Sequence, residues 1–215
     1  MDAIVIGGTG ATGRELVAQL LEDARFDTVT VLVRRPYFEG NPKLIERVVD
    51  FEKLEHYRDK IHGHVAFSTL GTTLKDAGSK AAQWRVDHDY QLAFARIAQE
   101  NGVGSFVLLS ALGANAHSSF FYNKMKGTLE QHMQQLDFPH LVILRPGGIE
   151  RPNSTRTGER VMIKILKIGN AVGILKSYAP ISTQRLAKAM IVSFLQCKEK
   201  HKVVSLKEIN AISDE

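Results

Sequence analysis

Residues 7–13 read Gly-Gly-Thr-Gly-Ala-Thr-Gly and follow directly on the apolar run Ala3-Ile4-Val5-Ile6. The pattern predicts a short buried strand ending there. A helix follows from about Thr12, with Leu16, Val17, Leu20 and Leu21 on one face. Gly7, Gly10 and Gly13 give the spacing G-x-x-G-x-x-G, and Gly8, Gly10 and Gly13 also give G-x-G-x-x-G. Between a strand and a helix each glycine has a physical job. The first permits the tight turn, the middle one lets a pyrophosphate approach the backbone, and the last packs helix against strand. The free N–H groups of the helix N-terminus then face the phosphates. Gly7, Thr9, Gly10, Ala11, Thr12 and Gly13 are therefore candidate ligands of a dinucleotide.

The rest of the chain alternates in the same way. Strand patterns fall at 3–7, 28–34, 44–49, 64–69, 105–110, 140–145 and 202–206. Helical patterns fall at 12–22, 79–101, 119–136, 158–168 and 183–196. Several strands are continuous apolar runs, such as Phe106-Val107-Leu108-Leu109, as expected when both faces of a parallel sheet are covered. The fold class expected is α/β: a Rossmann-type doubly wound parallel sheet with helices on both faces and a small C-terminal flap. With 215 residues, 44% of them hydrophobic, one domain over 1–215 is expected. Regularity breaks at 146–182, which holds Pro146, Gly147, Gly148, Pro152, Gly158, Gly169, Gly173 and Pro180. Ligands of open α/β sheets sit beyond the carboxyl ends of the strands. This segment is expected to cover a substrate, the alternative being a structural flap.

Composition narrows the partners. The net charge is +5, but the basic residues are scattered and no aromatics interleave with a basic stripe, so nucleic acid is not expected. A phosphate-rich cofactor is a sufficient anionic partner. Cys197 is the only cysteine, which forbids an intramolecular disulfide and fits a reducing compartment, the cytosol. It lies in an apolar helical pattern with Val192, Phe194 and Leu195 and reads as a packed thiol. No apolar run reaches about 18 residues, so no membrane span is expected. The first strand begins by Ala3, so no cleaved leader is expected. His62 and His64 alternate before the fourth strand without further ligands nearby, and no metal is expected.

The second strand, Thr28-Val29-Thr30-Val31-Leu32-Val33, ends in Arg34-Arg35-Pro36. An NAD site usually places Asp or Glu there for the ribose 2′-hydroxyl. None is present, and Asp27 lies at the other end. An arginine can form a forked, charge-assisted contact with a 2′-phosphate, which a carboxylate would repel. The expected cofactor is NADPH (NADP), with Arg34 on the phosphate and Arg35 against the adenine. Asp50 and Phe51 follow the third strand beside the adenine. Asp50 can accept from the adenine amino group or cap a helix beginning near Glu52. Leu70, Gly71 and Thr72 end the fourth strand and are placed along the ribose and phosphates.

Ser110 ends the fifth strand, and Tyr122 and Lys126 follow, four apart on one helix face. Free tyrosine holds its proton with a pKa of about 10. A nearby ammonium stabilises phenolate and makes the tyrosine a usable acid–base group. It can give a proton to a carbonyl oxygen as hydride arrives, or take one in reverse. A serine hydroxyl can hydrogen-bond the same oxygen. The alternative is an exposed helix face with a snorkelling lysine.

The chain at this point resembles short-chain dehydrogenases/reductases of the atypical or extended type, and within them the Tat-interacting-protein group and its bacterial relatives. The residues that carry the resemblance are Gly7 to Gly13, Arg34-Arg35, Leu70-Gly71-Thr72-Thr73 and Val86-Asp87-His88-Asp89-Tyr90. Leu108-Leu109-Ser110, Tyr122 to Lys126 with Gly127, and Leu144-Arg145-Pro146-Gly147 complete it. It implies NADPH along the strand ends, Tyr122 as the acid–base residue and Lys126 on the ribose. It further implies Ser110 at the serine position and Pro146-Gly147-Gly148 at the turn bordering the nicotinamide. The chain departs from the common pattern in its glycine spacing, its short C-terminal part, and the lack of a clear helix asparagine before the fifth strand. The function expected is an NADPH-dependent oxidoreductase, a reductase of a carbonyl or related small molecule. The alternative is a nonenzymatic NADP(H)-binding redox sensor or interaction protein with a protein partner. An isomerase or dehydratase using bound cofactor is a third reading. A monomer or homodimer is expected, and Arg145, Arg151, Arg156 and Arg160 hint at an anionic substrate.

Overall fold

The computed structural model describes residues 1–150 and 180–214. Its strands, in chain order, are β1 (Asp2–Ile6), β2 (Thr28–Val33), β3 (Leu44–Val48), β4 (Val65–Ser68), β5 (Ser105–Leu109) and β6 (His140–Leu144). They continue with β7 (Ile149–Glu150), β8 (Ile181–Ser182) and β9 (His201–Val204). Seven form one parallel sheet in the order β3-β2-β1-β4-β5-β6-β9, and β7 pairs with β8 in a separate two-stranded sheet. The strand order reverses between β1 and β4, and the carboxyl ends on either side of that reversal are where a doubly wound sheet opens a crevice.

Period-two burial explains the apolar runs. Ala3 and Val5 enter one core and Ile4 and Ile6 the other, so every side chain of this stretch is covered. On the first face lie α1 (Ala11–Glu22) and, near the C-terminus, a helix over Thr183–Gln196, with Leu16, Leu20, Leu186 and Met190 in a core with Val5, Val31 and Phe67. On the second face, Phe94 and Ile97 of the helix Tyr90–Glu100, and Leu129 and Met133 of the helix Phe121–Gln134, share a core with Ile4, Phe106 and Leu108.

The main elements fall where the sequence places them, and the departures have local causes. The stretch expected as one helix over 79–101 is preceded by a short α2 (Leu74–Ala77), capped by Thr73 and stopped at Gly78, whose φ of +81° suits glycine. Ser79 then caps α3 (Lys80–Trp84) by accepting the Ala82 amide. A single π-helical turn, Arg85–Asp89, joins α3 to α4 (Tyr90–Glu100). Next come α5 (Phe121–Gln134), α6 (Thr183–Gln196) and α7 (Leu206–Asp214). The last was not expected; Ser205 and Glu208 cap each other's backbone at its start, an S-x-x-E signal present in the sequence. A 3₁₀ segment, Phe51–Lys60, fills the place after β3. The helix expected at 158–168, and Arg151, Arg156 and Arg160, lie outside the described residues. Most of the expected covering segment, 146–182, does too. Among the described residues no helix is long and apolar enough to cross a membrane, and no group of three or more His, Cys, Asp or Glu is placed to hold a metal.

Candidate active site

Three glycines make the β1–α1 turn possible, each in a different way. Gly7 has φ +78°, and a Cβ there would meet the Leu70 amide nitrogen at 2.4 Å. A Cβ on Gly13 would sit 2.1 Å from the Gly7 carbonyl oxygen. These two positions are closed by backbone. Gly10 is different: its added Cβ would meet only the Gly7 oxygen, at 3.2 Å, so the space beside it is open. Gly10 also caps α1 with no side-chain hydrogen bond, and no acidic residue lies in the first turn. Among the described residues the first amides of α1 therefore have no side-chain partner, and Gly10, Ala11 and Thr12 form one wall of a cavity of about 330 Å³. That is the donor set and the clearance a pyrophosphate needs.

The opposite walls bring together what the sequence separates. Thr69 to Thr73 line the cavity from the end of β4, Leu109 and Ser110 from the end of β5, and Tyr122 and Lys126 from α5. A second cavity of about 250 Å³ shares Leu70, Gly71 and Thr72 and is closed by Phe51, Val86, Tyr90 and Arg34. Phe51 and Tyr90 face each other at 5.8 Å between ring centroids. Burial, and the bond Tyr90 donates to Glu52, push the Tyr90 phenol up to about 12, so it stays neutral at ordinary pH. Two chambers with a shared wall suit the two halves of a dinucleotide, with Arg34 beside the outer one.

Several expected residues stand off these walls. Arg35 is exposed, and neither it nor Thr9 lines either cavity. Of the two roles open to Asp50, the structure shows the cap: its carboxylate accepts the Glu52 amide at 3.0 Å. The Pro146 carbonyl accepts the Leu112 amide, and Gly147 packs against Leu206 of α7, its added Cβ meeting that side chain at 3.2 Å. Neither borders the cavity among the described residues.

Lys126 is 3% exposed, and its Nζ lies 3.6 Å from Oδ1 of Asp87, which is 1% exposed. The other oxygen of Asp87 accepts the Thr72 amide at 2.7 Å. Burial pushes the Asp87 carboxyl above its ordinary value, against the opposing pull of Lys126 and that amide. Tyr122 is 42% exposed at the mouth. The Ser110 hydroxyl donates to buried Glu130, whose carboxylate is gripped by Arg145 through Nε at 3.1 Å and Nη2 at 2.5 Å. Ser110 thus spends its proton on Glu130, which does not line the cavity.

Sequence reasoning assigned no role to Asp87 or Glu130. Their signals were present. Glu130 stands four residues beyond Lys126 on the same face of α5. Asp87 and Gln91 stand four apart on a face that continues into Phe94 and Ala95 of the core. Charged residues in a core-facing stripe are uncommon unless paired.

The NAD(P)H-binding family model matches residues 7–192. The chain belongs to this NAD(P)H-binding family. It is 40% identical over 147 residues to Protein HTATIP2 of Rattus norvegicus, covering 66% of this chain and 60% of that one, so the match spans less than two thirds of that relative. It is 33% identical over 197 residues to Protein FMP52, mitochondrial, of Debaryomyces hansenii, covering 89% of this chain and 86% of that one. Among solved structures, a short chain dehydrogenase family protein from Francisella tularensis superposes with a TM-score of 0.68 at 17% identity, covering 97% of this chain and 98% of that one. UDP-glucose 4-epimerase of Thermotoga maritima, solved with UDP-glucose, gives a TM-score of 0.71 at 14% identity, covering 100% and 82%. At such identities these two show the fold alone. The Rossmann-type doubly wound parallel sheet expected from the sequence is the fold observed.

Proposed function

We propose that the chain is an NADPH-dependent oxidoreductase that reduces a carbonyl or related small molecule. The observation that carries this reading is a pair of adjacent cavities sharing Leu70, Gly71 and Thr72, one lined by the start of α1 with Tyr122 and Lys126, the other by Arg34. The amides of Ala11 and Thr12 would hold the pyrophosphate, with Gly10 leaving room for it. Phe51, Val86 and Tyr90 would enclose the adenine, and Arg34 would pair with a 2′-phosphate. Lys126 would hold the nicotinamide ribose. Bound NADPH supplies hydride, and Tyr122 supplies the proton that a carbonyl oxygen needs as it becomes a hydroxyl.

The commitment of Ser110 to Glu130 favours a second reading, an NADP(H)-binding regulator without turnover, because a serine that has given its proton away does not polarise a carbonyl. The two readings share the cofactor and part at the chemistry. A screen of aldehydes, ketones and quinones for NADPH oxidation separates them. The reductase reading expects at least one compound to be reduced, and Tyr122→Phe to cut that turnover by about 10²–10⁴-fold with NADPH affinity kept. Tight NADPH binding with nothing reduced puts the regulator first. The single cysteine supports a reducing compartment. The word mitochondrial in the fungal relatives' names speaks for an organelle in those proteins.

A further inference from the structure

Lys126 does not stand alone on the cavity wall. Asp87 reaches it from the π-helical turn between α3 and α4, where the Tyr90 amide bonds the Arg85 carbonyl. One such turn adds a residue to the helix and rotates what precedes it relative to α4; such turns are frequent at functional sites. Here it brings Asp87 to the cavity wall while Gln91, one turn on, bonds the Asp87 carbonyl oxygen at 2.7 Å and accepts the Ser68 hydroxyl at 2.6 Å. The next residue, His88, is engaged elsewhere, with Nε2 3.0 Å from Nδ1 of His132 and Nδ1 on Asp89. What faces the Asp87 carboxylate is the Thr72 amide and Gly71 from the β4–α2 loop, and Lys126 from α5. Asp76 lines the same cavity, with Tyr122 and Ser110 across it.

We propose that Asp87 is a positioning residue for Lys126: its carboxylate holds the ammonium at the cavity wall, and its charge limits how strongly that ammonium draws the proton from Tyr122. The inference rests on the reading of Tyr122 as the proton donor. The physical reason is charge compensation. An ammonium one helical turn from a phenol favours phenolate, and a carboxylate beside that ammonium offsets the effect. A donor of protons must carry one at working pH, so the counter-ion biases the site towards reduction. The same contact ties the β4–α2 loop to α5, so the wall shared by both chambers and the acid–base face are set by one carboxylate.

The test reads Tyr122 directly and needs no substrate. Tyrosinate formation is followed by ultraviolet difference absorbance in the intact chain. Tyr122→Phe identifies the signal of that one tyrosine among five. Asp87→Asn should lower the Tyr122 midpoint by about one pH unit, and the lowered step should vanish in Asp87→Asn/Tyr122→Phe. Asp87→Glu, which keeps the charge, should stay at the wild-type midpoint. Lys126→Gln should move it upward, which tests that this ammonium acts on Tyr122, and Asp87→Ser replaces Asp87→Asn, with the same expected shift, if the latter does not fold. An unmoved midpoint in folded Asp87→Asn, an equal shift in Asp87→Glu, or no upward shift in Lys126→Gln overturns the proposal. If Asp87→Asn shifts the midpoint while Tyr122→Phe leaves turnover intact, the functional reading fails and this inference stands. If Tyr122→Phe abolishes turnover and the midpoint never moves, the reverse holds.

Discussion

Gly10 and Gly13 lie three residues apart in the same loop, and alanine at each should fail in opposite ways. At Gly13 the new Cβ would sit 2.1 Å from the Gly7 oxygen and 2.8 Å from Gly8 Cα. That is more than about 1 Å inside ordinary contact, and every atom it meets is backbone, which cannot rotate aside. Overpacking typically costs about 1–3 kcal/mol, and a rigid neighbour places this site at the upper end or above. For a chain of 215 residues that lowers Tm by about 6–12 °C. At Gly10 the φ of −74° suits alanine, and the one contact is the Gly7 oxygen at 3.2 Å. The gain from a stiffer unfolded chain, about 0.4–1 kcal/mol, roughly offsets that tight contact. Gly10→Ala should therefore melt within about 2 °C of wild type. Its methyl group, however, projects into the space the pyrophosphate needs, and NADPH affinity should fall at least about tenfold, or 1.4 kcal/mol. Thermal melts and NADPH fluorescence titrations of both variants decide the matter. Full affinity in Gly10→Ala, or a wild-type melt in Gly13→Ala, refutes the reasoning.

Three further outcomes follow from the same geometry. Lys126→Met should destabilise the fold by about 3–5 kcal/mol, because it strands the buried Asp87 carboxylate. Asp87→Asn added to it should recover much of that loss in denaturant melts. Arg34→Ala should weaken NADPH by about 1.5–3 kcal/mol, one to two decades, and leave NADH nearly unchanged, as competing titrations would show. The Asp87 carboxyl is raised by burial, so the folded chain keeps that proton to higher pH than the unfolded chain does. Stability from this group is present below its unfolded value and declines as pH rises from there through the raised folded value. The stability of wild type relative to Asp87→Asn should accordingly fall with rising pH over that interval, and a constant difference would contradict the assignment.

The fold was legible because both faces of the sheet are buried. Runs such as Ile4-Val5-Ile6 and Phe106-Val107-Leu108 can only be central strands once glycine loops and amphipathic helices flank them. Short elements were not legible. Four residues of α2 and a single π turn carry too few positions for a period, and their boundaries depend on caps such as Thr73 and Ser79. At the site, the sequence indicated Gly10, Tyr122 and Lys126 because each needs only its own segment to be recognised. Asp87 and Glu130 escaped because their roles are pairings across elements, Asp87 with α5 and Glu130 with the ends of β5 and β6. Of the two roles the sequence left open for Asp50 the structure shows the cap, and Arg35, placed by its position at a strand end and by the resemblance, does not line either cavity.

The most direct measurement of the central claim is a crystal structure of the chain soaked with NADPH. The account expects the pyrophosphate on the amides of Ala11 and Thr12, the adenine between Phe51, Val86 and Tyr90, and the 2′-phosphate on Arg34. It expects the nicotinamide ribose on Lys126, with the Tyr122 hydroxyl facing the open side of the nicotinamide. Phosphates bound elsewhere, or a nicotinamide turned away from Tyr122, would contradict it.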